Sequence, residues 1–386
     1  MPAKTISHTG RVLSAMAFVA LAGCSSTKPV HVDMKGDICA AGTIKTVIAT
    51  DNSARPLRAR TLPREPGCAP KIALIDVDGV LLNRNLTGSG SLGENPVALF
   101  REKLEAAAGD PGVCAVLLRI NSPGGGVTAC DIMRQDLERF RLHTGKPVVV
   151  CMMDLGCGGA YYLATQSDMI VAHPTTLTGG LGVVLNRYDL VEALKQQNVF
   201  AKPIRSGKKV DMGSPIRNIT PDEDDILNRV AGEYHRRLQE AVVAARQVLK
   251  SQVVETLAPP EEAEAGDDED DVYDEDAPEE DPFGGTIFDG RVLTASEAVG
   301  LGMIDQLGYL DDALATARGL AGQSVTRTIV YRRSNDRALT AYDITPNLPA
   351  SAVSLPLSIP GFDRSQLPIF LYLWQPEPLL ERTGGL

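Results

Sequence analysis

Asn121-Ser122-Pro123-Gly124-Gly125-Gly126 follows an apolar run and precedes a helical pattern. Glycines there let successive backbone N–H groups turn toward a bound anion or a developing oxyanion, and the helix start adds positive potential. Gly124 and Gly125 are therefore candidate oxyanion or peptide-binding residues, the alternative being a tight strand-to-helix turn without a ligand. No Gly-Lys-Ser/Thr follows, which excludes a Walker loop. Ser122, in the same run, is a tempting nucleophile by its type. The chain has seven cysteines, at 24, 39, 68, 114, 130, 151 and 157. None has metal-ligand spacing with another Cys or His, and the five histidines are scattered, so neither metal nor cofactor is expected. Cys114 and Cys151 fall in apolar runs, as small buried hydrophobes do. Cys39 and Cys68 are candidates for a disulfide in an oxidising compartment.

Cys24 has a different setting. Lys4 and Arg11 precede the apolar stretch Val12 to Leu21, which is too short to span a bilayer. Leu21-Ala22-Gly23-Cys24 then resembles a bacterial lipobox, with small residues before the cut and a thiol to carry diacylglycerol. This predicts a signal peptide over 1–23, lipidation at Cys24 and a tether over 24–70, in an exported protein held on the bacterial cell envelope. The alternative is an ordinary signal peptide that contains a cysteine.

From Lys71 onward, strand and helix patterns alternate. Lys71 to Leu82, Val113 to Ile120, Lys146 to Met153, Asp168 to His173 and Val199 to Arg205 read as strands. Pro96 to Ala108, Thr128 to His143, Gly158 to Gln166 and Asp189 to Gln197 read as helices. Continuous apolar runs such as Val113 to Ile120 suit strands covered on both faces, so the alternation predicts an α/β fold with parallel sheets and outer helices. A long helix is expected from Thr220-Pro221 toward Leu249, and Thr294 with Glu297 has the spacing of a capping box.

Five blocks resemble the signal peptide peptidase A family in order and spacing: LLRINSPGGGVTACD, KPVVVCMMDLGCGGAYYLAT, DMIVAHPTTLTGGLGVV, IRSGKKVDMGSP and FDGRVLTASEAVGLGMIDQLG. The resemblance covers residues 71–320 and implies the ClpP/crotonase-like fold, a repeated ββα spiral. It also implies a membrane-tethered serine peptidase acting on signal-peptide-like segments, with a serine nucleophile, a lysine base and assembly into a homo-oligomeric ring. At the serine position stands Gly158, and at the lysine position, three residues beyond Gly207, stands Val210. Neither can attack a carbonyl or accept a proton. The resemblance with these departures implies a catalytically inactive homologue acting in peptide binding or assembly. A second reading keeps catalysis through a relocated nucleophile, Cys157, with Lys209 or Lys208 as the neighbouring cation. A third, acyl-CoA chemistry of the crotonase type, shares the fold but conflicts with an exported chain.

The whole chain of 386 residues has a formal charge of -11, and 14 acidic residues with no basic one lie between Glu261 and Asp281. The remainder is close to neutral, which argues against nucleic acid as a partner. The acidic tract reads as a solvated insertion at about 257–285, without EF-hand spacing. The Pro-rich extension over 321–386 includes Phe370-Leu371-Tyr372-Leu373-Trp374, a segment expected to pack on the core, on a neighbouring subunit or on the membrane.

Overall fold

The strands that frame the glycine turn lie at the centre of a mostly parallel sheet. A computed structural model of the chain describes residues 56–62, 67–85, 93–252, 286–333, 336, 340–345 and 370–374. The expected signal peptide, Cys24, Cys39 and the acidic insertion lie outside the described residues. The strands of the main sheet are β1 (Arg58–Thr61), β2 (Lys71–Asp78), β3 (Val113–Ser122), β5 (Val148–Cys157), β6 (Met169–Ala172), β7 (Leu177–Gly179), β8 (Val292–Thr294), β9 (Gln306–Leu307) and β10 (Arg327–Arg332). They run in the order β1-β10-β2-β3-β5-β6-β9, with β7 added beside β5 and β8 beside β7. Only the β1–β10 and β7–β8 pairings are antiparallel. The short β4 (Gly124–Gly126) pairs with β11 (Leu371–Leu373) in a separate two-stranded sheet.

The apolar runs work as strands because both faces are covered. In β3, Val116, Leu118 and Ile120 enter one core while Ala115 and Leu117 enter the other, the period of two that a pleated strand imposes. The larger core lies under helices α1 (Pro96–Gly109), α2 (Val127–Thr144), α3 (Gly159–Ala164) and α5 (Pro221–Ala245). The second core is covered by α7 (Leu310–Leu320). The short helices α4 (Val191–Gln196) and α6 (Ala295–Gly300) complete the set among the described residues. Local signals set the helix ends. Asn95 Oδ1 accepts from the N–H of Val97 and Ala98 at the start of α1. Gly145, at φ 64°, closes α2 with its N–H on Arg141 O. Thr294 and Glu297 form the expected capping box, with the Glu297 carboxylate 2.8 Å from Thr294 N.

Three expectations change. Val199 to Arg205 forms no strand: Phe200 is 67% exposed and Ile204 is fully exposed. Pro203 offers no N–H, and no described strand pairs with the segment, so β propensity has no partner to act on. The glycine run is an extended strand rather than only a turn. The sheet also draws β1 from the expected tether and β10 from the expected C-terminal extension, so strands cross both limits of the 71–320 range. A buried ion cluster fastens that extension. Lys103 Nζ lies 2.6 Å from Asp76, and the fully buried Arg332 donates to Asp76 at 3.5 Å, Asp336 at 3.3 Å and Thr345 Oγ1 at 2.6 Å. Burial opposes a charged Asp76, yet Lys103 and Arg332 hold its carboxyl well below the usual range.

Candidate functional site

The ends of β3 and β5 deliver two glycine-rich turns to one place. Ser122, fully buried, donates from Oγ to Gly79 O at 2.6 Å and accepts from Gly124 N at 3.1 Å. Its hydroxyl is thus a brace, and the Gly124 N–H is already used. Leu81 N donates to Gly124 O and Gly126 N to Leu81 O, both at 2.9 Å, which fixes β4 as an extended edge. Gly124 holds φ 108°, a conformation L side chains rarely adopt. Asp78 ends β2 opposite Asn121. Burial, with Asp76 nearby, pushes its carboxyl up to about 6.

Gly158 sits at the junction of β5 and α3 with φ 52° and ψ −120°. A sharp strand-to-helix turn with positive φ aims the residue's missing side chain outward, as a nucleophile-bearing turn would. The space it would enter is filled. A Cβ on Gly158 would lie 2.5 Å from Tyr372 O and 2.8 Å from its carbonyl carbon. A Cβ on Gly124 would also collide with Tyr372 O.

The occupant is β11. It runs antiparallel to β4, with Leu371 opposite Gly126, Tyr372 opposite Gly125 and Leu373 opposite Gly124. Val127 N donates to Phe370 O at 3.1 Å and Trp374 N to Pro123 O at 3.0 Å. On its other edge, Leu371 exchanges both backbone hydrogen bonds with Val184, at 2.9 and 3.0 Å. Leu371 and Leu373 pack with Val80, Leu82 and Val184, while Tyr372 turns to the opposite face and enters the main core. Its hydroxyl donates to Tyr234 O at 2.6 Å, and its ring meets that of Tyr162 at 5.6 Å. Sequence reading named this segment without placing it. The alternation Leu-Tyr-Leu-Trp was the available signal, but nothing local specifies a partner strand so far away in the chain.

The residues proposed for a relocated dyad are engaged apart. Cys157 is fully buried, its Sγ 3.4 Å from Leu177 O, and burial pushes its thiol up to about 12. A thiol in that state supplies almost no thiolate at neutral pH. Lys209 lies in an exposed turn and pairs with Asp222. Val210 is 68% exposed in the same turn. Cys68 is exposed and Cys130 is buried, while Cys151 is buried as expected and Cys114 half-buried. Among the described residues no group of three or more His, Cys, Asp or Glu could hold a metal ion, and no helix is long and apolar enough to cross a membrane.

Comparison with known proteins adds sequence relationships to this geometry. The model of peptidase family S49 matches residues 141–259, a span that includes Gly158 and Val210. Protease 4 of Salmonella typhi is 29% identical over 252 residues, covering 65% of this chain and 34% of that protein. The chloroplastic serine protease SPPA of Arabidopsis thaliana is 24% identical over 261 residues, covering 67% of this chain and 34% of that protein. The chain thus spans about a third of the length of these relatives. A solved structure of a mutant 1510-N membrane-bound stomatin-specific protease in complex with a substrate peptide is 14% identical at a TM-score of 0.38. It covers 69% of this chain and 94% of its own. The sequence matches establish family-level homology between this chain and the S49 peptidases of the signal peptide peptidase A type.

Proposed function

We propose that this chain is a peptide-binding S49 homologue without peptidase activity, held on a bacterial envelope membrane through Cys24. The observation that carries the reading is at residue 158. The turn that would present a nucleophile carries no side chain, and a peptide carbonyl fills the space. The position matched to the base is the exposed, apolar Val210. Without nucleophile and base, what remains is a strand-shaped slot between β4 and Val184 that binds peptide backbone by sheet extension. The burial of Cys157 and the bracing role of Ser122 support the inactive reading against a relocated nucleophile.

Self-association belongs to the same proposal. Val199, Phe200, Ile204 and Val210 present exposed apolar side chains that a second copy would cover. The anchor has its own test: Cys24→Ala is expected to move the protein from the membrane to the soluble fraction, and retention with unchanged lipid labelling would refute the lipobox.

The catalytic part is tested with reactive peptides. Extended apolar peptides carrying a vinyl sulfone or a fluorophosphonate should leave Cys157 and Ser122 unmodified in intact-mass spectra. A stoichiometric adduct on either residue would restore the active-peptidase reading.

A further inference from the structure

We propose that residues 370–374 are a tethered competitor that occupies the peptide slot in cis. The slot's external ligand is then an extended peptide with a tyrosine between aliphatic residues. The proposal rests on the reading of this slot as a peptide groove.

Four observations meet here. The segment is bonded on both edges, to Pro123 and Val127 on one side and to Val184 on the other, as a peptide added between two strands would be. Its alternation is used in full. Leu371 and Leu373 enter one small apolar cluster, and Tyr372 enters a separate pocket on the opposite face. That pocket is chemically specific, because Tyr162 packs at a tilt against the ring and the Tyr234 carbonyl accepts the phenol proton at 2.6 Å. Phenylalanine in the same place would leave the partly buried Tyr234 carbonyl without that donor. The fit also depends on missing side chains. Gly124 and Gly158 leave room for the Tyr372 carbonyl, and a Cβ on Gly180 would come within 3.0 Å of Trp374 Cβ. Gly158 and the seated strand are therefore one arrangement: any side chain at 158 competes with residue 372 for the same space.

A strand of three residues held by edge hydrogen bonds and one buried aromatic is a small binding unit. Being part of the same chain, it competes at an effective concentration of about millimolar or above. An incoming peptide of the same chemistry is therefore weakened until the tether is loosened. Tyr372 is the anchor whose loss should loosen it, since buried tyrosines dominate such contacts.

The test uses the full chain in detergent micelles and a fluorescein-labelled peptide with the sequence of residues 367–376. Binding is read by anisotropy, and backbone exchange at Gly126, Val127 and Val184 by deuterium uptake. Tyr372→Ala is expected to bind the peptide about tenfold or more tighter than wild type, with faster exchange at those amides. The same peptide carrying alanine in place of its tyrosine should bind neither protein. Should Tyr372→Ala fail to fold, Tyr372→Phe, which removes only the hydroxyl bond, carries the test with a smaller gain in the same direction. Equal peptide affinity in wild type and variant would overturn the competitor and leave the peptide groove standing. No binding to either, with faster exchange in the variant, would show a vacated slot that takes no peptide and would overturn the groove itself. No binding and unchanged exchange would make the strand a fixed part of the fold and overturn the competitor.

Discussion

Gly158 and Asp78 show how single residues set the properties of this site. At Gly158 two costs add for any replacement: a positive φ and a Cβ inside contact distance of Tyr372. Gly158→Ser should destabilise by about 1–3 kcal/mol. The accompanying signature is faster deuterium exchange in β4 and at Val184, because serine must push β11 aside. A stability equal to wild type, with unchanged exchange, would mean that the slot accommodates a side chain. Asp78 tests the electrostatics beneath the glycine turn. Its carboxyl titrates near 6 in the folded protein, above the ordinary unfolded value of about 3.9. The native state therefore holds the proton more tightly. The stability this confers is complete below about pH 3.9 and is lost as pH rises through 6. Asp78→Asn should melt at higher temperature than wild type at pH 8, with the gap closing toward pH 4.5. A pH-independent difference in melting temperature would contradict the shift.

The central strands were legible in the sequence for a physical reason. The runs Val113 to Leu118 and Val148 to Met153 are continuously apolar and short, the pattern of a strand between two cores. The capping box of Thr294 and Glu297 likewise acts within a few residues, so sequence alone places that helix start. Val199 to Arg205 misled because β propensity measures fit to a neighbouring strand, and no described strand pairs with that segment. β10 and β11 were not legible because their partners, β2 and β4, lie more than two hundred residues away. The buried cluster around Arg332 holds β10 and the following residues to the sheet. Arg332→Ala removes a buried guanidinium from beside Asp76 and Asp336 and a donor from Thr345. It should cost about 3–5 kcal/mol, read as a fall in the urea midpoint. Arg332→Met, which fills the volume but restores neither the charge nor the hydrogen bonds, should rescue little of it.

At the scale of the whole molecule, the function proposed above is a peptidase-type scaffold turned to holding peptide strands at a membrane. Family-level homology supplies the scaffold. The glycine at 158, the apolar residue at 210 and the seated C-terminal strand are the observations on which the proposed change of use rests. The sequence named Gly124 and Gly158 separately, and the fold brings both against the Tyr372 carbonyl. The identity of what fills the site was not legible, because only tertiary packing brings Tyr372 to Gly158. The central claim, that this groove binds peptide backbone and breaks none of it, is tested most directly by cleavage. Purified full-length protein, at a concentration equal to its substrate, is incubated with a mixture of extended apolar peptides and followed by mass spectrometry over a day. The account predicts intact peptides, with product no higher than in a heat-denatured control. Products that accumulate with wild type and disappear in Cys157→Ala, while peptide binding persists, would contradict it.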